Sequence, residues 1–328
     1  MDRIIVTGGA GYIGSHVCKA LAERNLEPVA VDDLRTGRRE AVRWGAFEQV
    51  AVENSDGLTQ VIRRHKPVAA IHLAGLIMAG ESVAKPLEYH QANVGGMLGL
   101  LQAMRATGLE TLVFSSTASV YGIPAICPVT EAAPLAPVNP YGASKAICER
   151  LLDDCAAAGW LRPQALRYFN ACGADDSGHI GEMHHPETHL IPLTIRAALE
   201  DGHVLAVHGN DYDTADGTGI RDYVHVSDIA EAHLLALDHL WAGKPGQPMN
   251  LGTGTGFSVR QVIAEVERQT GCPVKMTEGP RRPGDTPVLV ADAQLARRVL
   301  GWTPRRSDLP TMVGSACAWH GRNGWPSE

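Results

Sequence analysis

A run of glycines directly after a short apolar segment at the head of the chain restricts the fold more than any other feature. It reads Thr7-Gly8-Gly9-Ala10-Gly11-Tyr12-Ile13-Gly14. Arg3–Thr7 has the composition of a buried strand, and Tyr12–Arg24 carries Ile13, Val17 and Leu21 at helical spacing. The residues between them satisfy both G-x-x-G-x-x-G (Gly8, Gly11, Gly14) and G-x-G-x-x-G (Gly9, Gly11, Gly14). Such glycines make a tight turn, let a pyrophosphate approach the backbone and let the helix pack against the strand. The anion then rests at a helix N-terminus, where unpaired N–H groups and the helix dipole favour negative charge. A second strand, Pro28–Val31, ends at Asp32-Asp33, about twenty residues further on, where a carboxylate bonds a ribose hydroxyl and repels a 2′-phosphate. Together these features predict a dinucleotide site that takes NAD rather than NADP.

The alternation continues. Val68–Leu73, Thr111–Ser115 and Gln164–Phe169 are short apolar runs of parallel-strand type, and Val94–Thr107 is a helix with Met97, Leu100, Leu101 and Met104 on one face. Strands alternating with amphipathic helices predict an α/β fold, a Rossmann-type doubly wound parallel sheet. After about residue 170 the pattern changes to a Gly-, Asp-, His- and Pro-rich loop at Ala174–Thr188, a helix at Pro192–Glu200 and a turn-rich stretch at Gly209–Gly219. The helix Val226–Leu240 and strand Pro248–Leu251 read as a return to the sheet, and the remainder as loop-rich with a helix at Val259–Gln269. The expected division is residues 1–170, rejoined by 224–252, as the NAD-binding unit. Residues 171–223 and 253–328 form a smaller mixed α/β C-terminal substrate unit.

Composition excludes several classes. A net charge of −7, with no basic run, is unlike a nucleic-acid-binding surface. No apolar run reaches the length of a membrane span, and the apolar stretch after Met1-Asp2-Arg3 is too short for a signal peptide. The seven cysteines form no C-x-x-C pair, which predicts reduced thiols and a cytoplasmic protein.

Tyr141-Gly142-Ala143-Ser144-Lys145 is a Y-x-x-x-K, which on a helix puts both side chains on one face, one turn apart. Pro140 suits the first turn of that helix. An ammonium beside a phenol favours phenolate, so Tyr141 is expected to titrate below the ordinary tyrosine range and to take a proton from an alcohol. Upstream, Phe114-Ser115-Ser116-Thr117 ends a strand at the carboxyl edge where open α/β sheets bind ligands. A hydroxyl there would hold a substrate oxygen, or simply cap the strand end.

With those motifs in place, the chain resembles the extended short-chain dehydrogenase/reductases, and within them the UDP-glucose (UDP-galactose) 4-epimerases. The resemblance runs from Val6 to about Trp319. It is carried by VTGGAGYIGSH, HLAGL, GESVAKPLEY, FSSTASVYG, NPYGASK, LRYFNACGA, THLIPL, GNDYDTADGTGIRDYVHVSD, NLGTGTGFSV and RRPGD. The eighth stretch is the narrowest. The resemblance implies reversible 4-epimerisation of a UDP-hexose, with another UDP-sugar (an N-acetylhexosamine or a pentose) as the alternative. Tyr141, Lys145 and Thr117 would be catalytic, with Thr117 standing where the family has serine. NAD would be held by Gly8, Gly11, Tyr12, Ile13, Gly14, Asp32, Asp33, Leu73, Ala74, Gly75, Asn93, Ser115, Tyr141, Lys145, Tyr168 and Phe169. The UDP-sugar would meet Thr117, Tyr141, Asn170, His189, Leu190, His208, Arg221, Tyr223, Val259, Arg282, Asp285 and Leu289. Arg221 and Arg282 suit a diphosphate, because a guanidinium fork matches phosphate oxygens. A homodimer is implied as well, through the outer sides of Val94–Thr107 and Tyr141–Ala157.

The chain departs from the family at several positions. Ile77 replaces a lysine near the cofactor, Val52-Glu53 replaces Gly-Asp near the adenine, His189 replaces asparagine, His208 replaces an aromatic residue near the uracil, and Leu289 sits where sugar size is set. A dehydratase or decarboxylase on this fold places an acid after the catalytic hydroxyl, where this chain has Ala118 and Ser119. A one-way NADP reductase is disfavoured by Asp32, and a non-catalytic dinucleotide sensor by retention of the Tyr–Lys pair. His179, His184, His185 and His189 lack a compact helical H-x-x-x-H pattern with a carboxylate partner, so they read as a polar loop over the sugar site and no metal is expected.

Overall fold

The computed structural model describes residues 1–282 and 284–325. The first half contains β1 (Arg3–Thr7), α1 (Tyr12–Glu23), β2 (Glu27–Val31), β3 (Ala46–Glu48), α2 (Ser55–His65), β4 (Ala69–His72), α3 (Ala79–Ala84), α4 (Pro86–His90), α5 (Gly96–Thr107), β5 (Thr111–Thr117), α6 (Pro140–Ala157) and β6 (Arg162–Tyr168). The second half contains β7 (Asn170–Cys172), α7 (Leu190–Leu199), β8 (Leu205–His208), β9 (Ile220–His225), α8 (Val226–Trp241), β10 (Met249–Leu251), β11 (Gly256–Ser258), α9 (Val259–Thr270), β12 (Met276–Gly279), β13 (Val288–Leu289), α10 (Gln294–Leu300) and α11 (Leu309–Asn323).

Seven strands form one sheet in the order β10-β6-β5-β4-β1-β2-β3, every pair parallel. Strands buried on both faces read as unbroken apolar runs, and all seven residues of β5 are buried. One face of the sheet packs Ile4, Val6, Ile71 and Leu166 against α1, α8 and α10. The other packs Ile5, Val31, Ala70 and Phe114 against α2, α5 and α6. The strand order reverses between β1 and β4, which opens a crevice at their carboxyl ends.

The segment after β6 builds a second, separate core. Cys172, Ile191, Val207, Tyr223, Val262 and Met312 pack there between α7, α9 and α11. Two small sheets edge it, one of β11, β9, β13 and β7, the other of β12 and β8. α8 and β10 lie with the large sheet, since β10 pairs in parallel with β6.

Two expectations need correction. The C-terminal third is not loop-rich, because α10 and α11 follow α9. α11 reads poorly in sequence because Gly314, Ser315 and Cys317 dilute its apolar stripe, yet an Asp308 cap and the burial of Met312, Val313, Ala316 and Trp319 hold it. The helix expected from Val94 is one part of a longer element. α4 continues through a π-helical turn at Gln91–Gly95 into α5. That turn shifts the helical register and points Asn93 inward.

Candidate active site

The turn after β1 leaves no room for side chains. Gly8 has φ +73°, and a Cβ there would lie 2.6 Å from the Ala74 nitrogen; one on Gly14 would lie 2.0 Å from the Gly8 carbonyl oxygen. β1 and β4 thus approach through bare backbone at the switch point. Gly11 is the N-cap of α1 and offers no side chain to its first-turn N–H groups, so those donors face the crevice. The Asp32 carboxylate at the end of β2 accepts from the backbone N–H of Ala10 (3.1 Å) and of Leu34 (2.8 Å). Burial raises its pKa despite those two donors. A cavity of about 610 Å³ runs from this turn across the sheet edge, lined by Gly8, Tyr12, Asp32, Gly75, Tyr141 and Lys145 among others. Glycine-lined approach, uncapped helix donors and an acid at the second strand fit an adenine dinucleotide.

Of the sequence-predicted cofactor residues, all but Asn93 line this cavity. Asn93 is buried behind it. Its Oδ1 accepts from the Leu76 N–H (2.8 Å), while its Nδ2 donates to the Leu76 carbonyl (3.1 Å) and to Ser144 Oγ (2.8 Å). It therefore ties the loop after β4 to α6. Ile77, Val52 and Glu53 line the cavity as well.

α6 begins where Asn139 caps it by accepting from the Gly142 N–H (2.8 Å), with Pro140 at the first helical position. Tyr141 lies in that first turn and Lys145 one turn on, both in the cavity. Lys145 Nζ donates to the Ser115 carbonyl (2.9 Å) and sits 4.9 Å above the Phe114 ring centre. Burial brings its pKa down to about 8, with the Cys148 and Glu149 side chains acting the other way. The Tyr141 phenol moves opposite to the sequence expectation. Burial pushes it above its ordinary value, and a hydrogen bond with Thr117 draws it back part of the way. The Lys145 ammonium is turned toward the β5 backbone, where it donates to the Ser115 carbonyl. Thr117 Oγ1 accepts from the Ser119 N–H (3.1 Å), which is the strand-end cap expected of it. Ser115 Oγ is paired with the Tyr168 hydroxyl.

A second cavity, about 400 Å³, lies in the smaller unit. It is lined by Asn170, His189, Leu190, His208, Arg221, Tyr223, Val259, Arg282 and Asp285, all expected substrate residues. The Asp285 carboxylate takes Arg282 Nε at 3.0 Å and Arg221 Nη2 at 3.4 Å, holding both guanidiniums at one wall. Leu289 lines neither cavity; it packs against the buried cluster of Val120, Tyr121 and Val129.

The chain matches the NAD dependent epimerase/dehydratase family over residues 4–252. The chain belongs to this family. A UDP-glucose 4-epimerase of Rhizobium meliloti is 47% identical over 321 residues, covering 98% of each chain. The crystal structure of UDP-glucose 4-epimerase from Brucella ovis in complex with NAD superposes with a TM-score of 0.96 at 45% identity, over 98% of this chain and 99% of that one. A Stenotrophomonas maltophila UDP-glucose-4-epimerase with bound NAD and formylated UDP-arabinopyranose gives a TM-score of 0.95 at 40% identity, over 98% of each.

This epimerase/dehydratase-family chain also brings to its site residues that sequence reasoning passed over. Arg35, Thr36 and Arg38 line the first cavity beside Asp33, and their position directly after the acidic pair was the available signal. Trp319 and Asn323 reach it from α11, and nothing local in the sequence announces that. Glu182 and Glu187 join His184 and His189 in the loop between β7 and α7, with all four ligating atoms within 4.8 Å of one another. Burial opposes charge on His189, but the Glu182 and Glu187 carboxylates outweigh it and lift the pKa to about 10. His184 is raised to about 9 by the same pair, again against its burial.

Proposed function

We propose that the chain interconverts UDP-glucose and UDP-galactose by inverting the sugar at C4. In this reading Tyr141 is the acid–base residue, Thr117 holds the reacting oxygen and Lys145 holds the nicotinamide ribose. The supporting observation is that Asn170, Ala171, Thr188 and His189 line both cavities. A sugar attached to a UDP in the second cavity therefore extends toward Tyr141 and Thr117 in the first. When bound, NAD would supply a reversible hydride acceptor for C4 and a positive charge within the cavity that Tyr141 lines. Tyr141, as phenolate, takes the 4-hydroxyl proton while the C4–O bond becomes a carbonyl, and returns that proton when the carbonyl is reduced from its other face. The net reaction gains and loses no atoms or electrons. That Thr117 and Tyr141 line the same cavity supports a place for the sugar oxygen between their hydroxyls. Arg221 and Arg282, gathered by Asp285, supply bidentate donors for the diphosphate. Leu190, His208, Tyr223 and Val259 line the remaining wall beside the uridine.

On this reading residues 1–170 and 224–252 carry the cofactor, and 171–223 with 253–328 carry the UDP-sugar. The chain acts as a homodimer, for which Leu98 and Ile147, exposed on α5 and α6, are the supporting observation. Light scattering showing a monomer at micromolar concentration would remove it. A cytoplasmic setting is supported by seven free cysteines and, among the described residues, no helix long and apolar enough to cross a membrane.

Purified protein incubated with UDP-galactose, with and without added NAD, tests the activity. UDP-glucose formed with no net NADH is the expected result. Net NADH accumulation, or no turnover of UDP-galactose in either condition, would overturn it, and N-acetylated and pentose UDP-sugars would then be assayed.

A further inference from the structure

We propose that Glu182, His184, Glu187 and His189 bind a single zinc-class cation that clasps the loop between β7 and α7 beside the dinucleotide cavity. The four side chains come from one eight-residue stretch, Glu182-Met183-His184-His185-Pro186-Glu187-Thr188-His189, and their donor atoms fall within 4.8 Å of one another. Their separations are informative. His189 Nδ1 lies 2.8 Å from Glu182 Oε1 and 2.9 Å from Glu187 Oε1, while His184 Nδ1 lies 3.0 Å from Glu182 Oε1 and 3.7 Å from Glu187 Oε2. A tetrahedral ion bound at about 2.0–2.1 Å sets its ligands about 3.3 Å apart. The observed values straddle that edge length.

Direction adds to distance. Both imidazoles turn the same atom, Nδ1, toward the same two carboxylates. An N–H bond has one direction, yet His189 Nδ1 faces two oxygens almost equally, and Glu182 Oε1 is approached by both rings. A cation at the centre of the four donors satisfies all of them at once. Two imidazole nitrogens with two carboxylate oxygens suit zinc, whereas calcium and magnesium require more oxygens and larger coordination numbers. Four protein ligands leave no open position, which is the pattern of a structural site.

The surroundings hold the ligands in place. Glu187 Oε1 accepts the backbone N–H of Thr188 (2.7 Å) and of His189 (2.8 Å). The Glu182 carbonyl is held by Trp319 Nε1 at 2.9 Å, and Gly181 lies so close under the same indole that a Cβ would fall 2.4 Å from it. The His184 ring meets Tyr12 of the glycine turn edge-on, with centroids 5.9 Å apart. Such outer-shell contacts orient metal ligands and are part of the site. The clasp would thus fix the loop to α11 on one side and to the cofactor turn on the other.

The test uses tag-free full-length protein. After growth with zinc and gel filtration, elemental analysis is expected to find one zinc per chain. Chelation should remove it, and added zinc should restore both the equivalent and the melting temperature of the stripped protein. Cobalt added to stripped protein should give the intense visible d–d absorption of a tetrahedral site. His184→Gln and Glu187→Gln should each lose the bound equivalent. Wild-type protein that retains neither zinc nor cobalt through gel filtration overturns the proposal, as does an equivalent that both variants retain. Should the variants fail to fold, the cobalt spectrum of the wild type decides. A weak octahedral spectrum refutes the four-ligand site.

Discussion

Replacing Glu149 by glutamine should destabilise the protein far more than losing an exposed ion pair on the same helix would. Glu149 sits on α6 one turn beyond Lys145, and its carboxylate is almost fully enclosed, with side-chain exposures of 5% for Arg167 and 4% for Glu149 itself. Arg167 Nε, on β6, donates to both carboxylate oxygens at 2.9 and 3.2 Å, and Ser116 on β5 donates to the same group. Arg167 Nη1 passes the chain on to the Tyr121 hydroxyl (2.8 Å), which donates to Asn250 Oδ1 on β10 (2.6 Å). A glutamine keeps one acceptor but turns an NH2 toward a guanidinium that stays charged. Leaving one member of a buried pair uncompensated costs about 3–5 kcal/mol. For a chain of this size about 2 °C per kcal/mol applies, so the melting temperature should fall by about 6–10 °C. The exposed pair Arg150–Asp154 on the same helix is the internal control, and Arg150→Ala should cost under about 0.5 kcal/mol. Differential scanning fluorimetry with saturating NAD compares the two. Replacing both Glu149 and Arg167 by methionine should recover most of the loss, because no buried charge is then left alone. If Glu149→Gln melts within about 1 °C of Arg150→Ala, the network carries no net stability and the reasoning fails.

Other expectations are more local. Tyr141→Phe removes the phenol that exchanges the proton and should lower kcat about 10²- to 10⁴-fold while NAD is still retained, as read by epimerisation rate and protein-bound cofactor absorbance. Full turnover by that variant would remove Tyr141 from the mechanism. Gly14→Ala places a Cβ 2.0 Å from the Gly8 carbonyl oxygen, so the turn must open and the purified variant should carry no NAD; NAD at wild-type stoichiometry would contradict the close-approach argument. His233 is fully buried and burial lowers its pKa from 6.5 to about 4, so the unfolded chain binds an extra proton between those values. That contribution is fully present above pH 6.5 and is lost as the pH falls toward 4, to the extent of about 3 kcal/mol. His233→Leu should flatten the denaturation midpoint against pH across this window, and an unchanged slope would show that His233 does not titrate there.

Legibility in the sequence followed the range of the physical interaction. The glycine turn, the acid after β2 and the Tyr141–Lys145 pair are local patterns, with their partners within a few residues or one strand–helix unit, so the chain order displays them. The seven-stranded sheet was legible for the same reason, because parallel strands covered on both faces must be apolar throughout. The Glu149–Arg167 pair was not. Its members stand 18 residues apart, and they meet only because β5 and β6 pair in register with Ser116 opposite Arg167. Trp319 is further removed, brought to Glu182 by a helix whose small residues hide its periodicity. The histidine loop is the instructive case. All of its members are close in sequence, but a helical template separates ligands by three or four residues, whereas here they alternate as E-x-H-x-x-E-x-H along an irregular backbone. Glutamates 182 and 187 were invisible as partners because an extended loop has no fixed period, and only its anchoring by Trp319 and the His189 cap of α7 folds the two halves of the motif together. The phenol of Tyr141 shows the same limit for electrostatics. The Y-x-x-x-K spacing places the ammonium nearby, but burial, which depends on the whole fold, sets the direction of the shift.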